Sequence, residues 1–127
     1  MGLLAGLLGL SSDVDIEAVR RELEPILIPS EEIELAFAVV RDLMVFTDKR
    51  LILVDKQGMT GRKREYHSVP YRAITMFTIE TAGHFDVDSE LKIWVSGQDQ
   101  PLVRELSRGS NIPGIQKALA EGVLGGR

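Results

Sequence analysis

Few residues in this chain have the types and spacing that chemistry requires. His67 and Ser68 are neighbours, but on an extended strand adjacent side chains point to opposite faces, so they cannot pair as base and nucleophile. Asp86, Asp88 and Glu90 alternate, with His84 nearby, and oxygen ligands at alternate positions suit calcium or magnesium. The calcium-loop pattern, however, requires glycine at its sixth position, where Leu91 stands, so a polar loop beside a strand edge is the plainer account. The chain has no cysteine, which excludes disulfides, thiolate zinc sites and cysteine nucleophiles. It also has no G-x-S-x-G, P-loop or H-E-x-x-H sequence, and only two histidines. The expectation is a non-enzymatic protein with no cofactor and no metal site.

Binding chemistry is better represented. Lys49, Arg50, Lys56, Arg62, Lys63 and Arg64 surround a single acid, Asp55, so residues 49–64 carry +5 against −9 for the rest of a chain whose net charge is −4. A strand at about 3.3 Å per residue separates Lys49 and Arg50 from the others. The usable basic patch is therefore Lys56, Arg62, Lys63 and Arg64 around one hairpin. It suits anionic lipid or an acidic partner surface, or ion pairs between subunits. The overall acidity argues against sequence-independent nucleic-acid binding. Trp94 alternates with Leu91, Ile93 and Val95 and so is expected to face outward, where a tryptophan commonly anchors an interface. Phe85, in a long loop, is a second candidate for that role.

The elements that must position these groups are organised around Arg41–Gly58. Two apolar runs, Leu43–Phe46 and Leu51–Val54, flank the turn Thr47-Asp48-Lys49-Arg50 and read as paired strands. Neither run has a polar face, so both sides need cover, from the chain's own core, its N-terminal segment or a neighbouring molecule. Upstream, Ile16, Val19 and Leu23 recur at helical steps, predicting an amphipathic helix over 13–24 that Pro25 stops. Period-two alternation predicts further strands at 33–40, 63–71, 73–81, 91–96 and 102–107. Ile112, Ile115, Leu119 and Val123 mark a C-terminal helix with Pro113 in its first turn. Seven antiparallel strands and one amphipathic helix predict a mainly β fold, a small barrel or sandwich closed by that helix.

At 127 residues the chain is expected to be a single domain over 13–127, preceded by an apolar segment at 1–12. In that segment Leu3, Leu4, Leu7 and Leu8 fall on one helical face. The run is about half the length of a spanning helix and lacks the basic start of a secretion signal. It is expected to pack on the domain or on a partner subunit rather than to enter a membrane, and the chain is expected in the cytoplasm, at most peripheral to a membrane.

The residues Arg41-Asp42-Leu43, Phe46-Thr47, Lys49–Gly58, Tyr66-His67-Ser68, Pro70-Tyr71, Ile74, Glu80–Asp86, Glu90–Trp94 and Gly109–Ile112 resemble the bacterial pleckstrin-homology (PH) domain family in its single-domain form. The resemblance spans nearly all of residues 26–124. It implies a PH-like barrel of two nearly orthogonal antiparallel sheets, seven strands in all, capped by a C-terminal helix. It also implies homo-oligomeric, ring-like assembly. Phosphoinositide-binding PH domains carry Lys and Arg at the junction of their first two strands, whereas this chain has Val39-Val40-Arg41-Asp42 there, which argues against inositol-lipid recognition. The function expected from these readings is that of an assembly or scaffold module acting on copies of itself. The alternative is peripheral binding to anionic membrane through the 56–64 hairpin.

Overall fold

The computed structural model describes residues 14–39, 42–57, 63–80, 89–106 and 110–125. Among these, helix α1 (Ile16–Leu23) precedes strands β1 (Ile33–Val39), β2 (Asp42–Thr47), β3 (Arg50–Gln57) and β4 (Lys63–Pro70). A 3-10 turn at Tyr71–Ala73 leads to β5 (Ile74–Glu80), β6 (Ser89–Val95), β7 (Leu102–Leu106) and helix α2 (Ile112–Leu124). The strands form two antiparallel sheets, β1-β2-β3-β4 and β5-β6-β7, in sequence order. The expected barrel is thus realised as two separate sheets rather than a closed cylinder. Pro70, which has no N–H to donate, is the last residue of β4, an edge strand.

The main core lies between the sheets. Leu35, Phe37, Met44, Phe46, Leu51, Leu53, Leu91, Ile93 and Leu106 are fully or almost fully buried there, and α2 closes it with Ile115, Ala118 and Leu119. Asn111 caps α2 by accepting a hydrogen bond from the Gly114 N–H at 3.1 Å. Tyr71 ties the parts together: its hydroxyl donates to the Thr47 carbonyl at 2.6 Å, and its ring lies against Gly122 of α2.

The second apolar face of β2 and β3 is covered from within the chain. Leu43, Val45, Ile52 and Val54 pack with Val19 and Leu23 of α1, with Ile33 and Ala36 of β1, and with Ile26 and Leu27 of the connector, forming a second small core. The two-sided apolarity of Leu43–Val54 therefore reflects an intramolecular helix, and this face does not argue for a second subunit. Helix α1 begins at Ile16, later than the expected 13, where Asp15 supplies the cap by accepting the Glu17 N–H. A bulge between Ile33 and Leu35 adds one residue and moves Ile33 from the main core to this outer one.

Candidate functional site

The turn between β2 and β3 is built around a buried ion pair. Glu31, whose side chain is fully buried, accepts from Arg50 Nε (2.9 Å) and Arg50 Nη2 (2.9 Å), from Thr47 Oγ1 (2.7 Å) and from the Ile28 N–H (3.2 Å). Arg50 donates in addition to the Ile26 carbonyl and to Ser68 Oγ. Burial alone would raise the Glu31 carboxyl, but the hydrogen bonds from Arg50, Thr47 and Ile28, with the guanidinium charge, outweigh it and hold the group below its ordinary value. Lys49 N–H and Arg50 N–H donate to Thr47 Oγ1, and the Glu32 N–H donates to Asp48 Oδ1. These contacts fasten the α1–β1 connector to the turn, so Arg50 is structural and does not contribute a free charge.

On the outer face of the three-stranded sheet the side chains are open. Met76 of β5 stands directly opposite Trp94 of β6. Lys92, the next outward residue of β6, stands opposite Val103 of β7. Met76 is 49% and Val103 40% exposed, and Trp94 is half-buried. A register shift between Ile74 and Met76 turns Met76 to this outer side. At the far end of the same face Glu80, Glu90 and Glu105 stand in one row across three strands, with Lys92 Nζ 3.7 Å from Glu90. Like charges directly opposite one another on a sheet repel, so this row is costly to the isolated chain.

A third constellation lies at the mouth between the sheets. The β3–β4 register sets Asp55 opposite Glu65 and Leu53 opposite His67, so Asp55, Glu65 and His67 share the inner face. His67 Nε2 is 3.3 Å from Asp55 Oδ2 and 3.4 Å from Glu65 Oε1. Arg104, on the inner side of β7, brings Nη2 to 2.9 Å from Asp55 Oδ1 and 3.0 Å from Oδ2, an ion pair that joins the two sheets. Beside it, His67, Ser68, Val69, Val95, Gln98, Gln100 and Leu102 line a cavity of about 370 Å³.

A family model described as the bacterial PH domain matches residues 2–123. The chain belongs to the bacterial PH domain family. The Bacillus subtilis protein YjqA is 55% identical over 121 residues, covering 94% of this chain and 97% of that protein. A pleckstrin-homology domain from Shewanella amazonensis matches with a TM-score of 0.83 at 56% identity, over 96% of this chain and 98% of that one. A pleckstrin-homology protein from Shewanella loihica matches with a TM-score of 0.76 at 54% identity, over 88% and 96%.

In this bacterial PH domain, the residues singled out from sequence are only partly brought together. Trp94 faces outward as expected, and Met76 and Val103 join it without having been foreseen. Phe85, Leu3, Leu4, Leu7 and Leu8 lie outside the described residues, as does Arg62. Alternation divides the remaining basic residues: Lys56 and Arg64 stand opposite each other on one face, while Lys63 is on the other with Asp55 and His67. Arg64 Nε is also held 3.4 Å from Glu22 of α1. His67 and Ser68 do point to opposite faces, Ser68 towards Arg50 and His67 towards Asp55. The Asp55–Glu65–His67 cluster was missed, although pairing 50–57 with 63–70 across the glycine-containing turn would have revealed it. Among the described residues no helix is long and apolar enough to cross a membrane.

Proposed function

We propose that this bacterial PH domain is a non-enzymatic assembly module that associates with further copies of itself, head to tail, through the outer face of its three-stranded sheet. The observation that carries the reading is the Met76–Trp94 pair with Val103 nearby, an apolar patch that no described element covers. A half-buried tryptophan beside an exposed methionine has the composition of an interface centre. Charge supports a second copy as the occupant: the acidic row Glu80, Glu90 and Glu105 borders this patch, and Lys56 on the four-stranded sheet offers the opposite charge. Two different, complementary surfaces make a heterologous contact, which closes into a ring when the rotation permits. The basic hairpin supports lipid binding less well, because Lys63 is turned away from Lys56 and Arg64 is engaged by Glu22.

The test is light scattering behind size exclusion, on wild type, Met76→Glu and Trp94→Ala, at tens of micromolar. The wild type is expected as an oligomer of defined mass, with Met76→Glu reduced to a folded monomer and Trp94→Ala dissociating on dilution. Variants that retain the wild-type mass would place the interface elsewhere. Salt-sensitive co-sedimentation of the wild type with anionic vesicles, lost on Lys56→Glu, would favour the membrane reading instead.

A further inference from the structure

We propose that Asp55, Glu65 and His67 form a binding site for a divalent transition-metal ion at the mouth between the two sheets. One nitrogen and two carboxylate oxygens, one from each residue, lie within 4.8 Å of one another. Metal bonds of about 2.0–2.1 Å in tetrahedral geometry place neighbouring ligand atoms roughly 3.3–3.4 Å apart. The His67–Asp55 and His67–Glu65 separations, 3.3 and 3.4 Å, already have this spacing, and the Asp55 and Glu65 oxygens, within 4.8 Å, close the third side on the ion. Both distances are also long for hydrogen bonds from an imidazole N–H, whose ordinary range is about 2.7–3.2 Å.

The backbone brings the three ligands together before any ion arrives. Asp55 and Glu65 are direct partners in the β3–β4 ladder, and His67 is the next residue of β4 on the same face. Arg104 reaches from the other sheet to both oxygens of Asp55, and such an outer hydrogen-bonding partner fixes a ligating carboxylate in place. Metal binding uses the imidazole in its neutral form, and the two carboxylates supply the negative charge a dication meets, partly offset by Arg104 and by Lys63 on the same face. The donor set also decides the class of ion. An imidazole nitrogen with two carboxylates suits zinc, cobalt, nickel or copper, whereas magnesium and calcium require an all-oxygen shell. Three protein ligands leave a tetrahedral ion one position to fill. The cavity of about 370 Å³ that shares His67 is where water or an incoming donor group reaches it.

Isothermal titration of the full-length chain with zinc chloride, and the visible spectrum with cobalt chloride, test this. One ion per chain with micromolar affinity is expected, together with the intense visible absorption of four- or five-coordinate cobalt. His67→Ala and Glu65→Gln should each weaken binding at least about tenfold. Circular dichroism establishes that the variants are folded, and Glu65→Gln changes an exposed group and so keeps the test valid if His67→Ala does not fold. Zinc affinity unchanged in a folded variant, or a purely octahedral cobalt spectrum with no saturable binding, would overturn the proposal. The experiment reads ion binding and not mass, so its outcome is independent of self-association.

Discussion

Removing Arg50 while leaving Glu31 in place is the perturbation whose size follows most directly from the geometry. In Arg50→Ala the carboxylate of Glu31 remains fully buried but loses both guanidinium contacts at 2.9 Å. The Ile26 carbonyl and Ser68 hydroxyl lose their donor as well. Leaving one member of a buried pair uncompensated costs about 3–5 kcal/mol, a large share of the roughly 5–15 kcal/mol that holds a domain together. In thermal unfolding this corresponds to a fall of roughly 10–20 °C in Tm. The double variant Glu31→Gln/Arg50→Met removes both charges and should recover part of the loss, giving an interaction energy of about 1–3 kcal/mol in the cycle. The pH dependence has a fixed sign. Glu31 is held below its ordinary 4.5, so its contribution is present above that value and disappears as pH falls through the lower, folded-state pKa. The gap between wild type and Arg50→Ala should therefore narrow on acidification below about 4.5. A loss under about 1 kcal/mol at neutral pH, or a gap that widens in acid, would refute the assignment of Glu31–Arg50 as the fastening of the turn.

Three further outcomes are expected from chemical denaturation. Gly122→Ala should destabilise by about 1–3 kcal/mol despite alanine's higher helix propensity, because its Cβ would stand 2.6 Å from a Tyr71 ring that the Thr47 bond holds in place; a stabilised variant would contradict the packing. Leu23→Ala should cost about 2–5 kcal/mol by opening the outer core, and a loss near zero would mean that α1 does not cover the sheet. Asn111→Ala should cost about 1 kcal/mol through loss of the α2 cap, whereas Asn111→Asp should retain most of the wild-type stability.

The parts of the fold that were legible in sequence are those governed by alternation. The inward set Leu91, Ile93 and Val95, the outward Trp94 and the stripe of α2 all follow from period two or 3.6. What escaped has a common cause: a bulge or a long-range contact changed what the local pattern implied. The inserted residue before Leu35 sends Ile33 to the other core, and the shift before Met76 sends that side chain outward. Glu31 reads as a loop acid, because nothing local to it shows that the connector folds back onto Arg50, nineteen residues away. The two-sided apolarity of β2 and β3 pointed correctly to a second cover, but only the fold shows that α1 supplies most of it. This leaves the Met76–Trp94–Val103 face as the stronger basis for assembly, in place of the strands that first suggested it.

The most direct test of self-association is the mass of the wild-type chain in solution, followed by sedimentation velocity across a range of concentration and salt. A single oligomeric species that persists on dilution to the low micromolar range, and loosens at high salt as the acidic row is screened from the cations it meets, is the predicted result. A species of one chain's mass at every concentration would contradict the account.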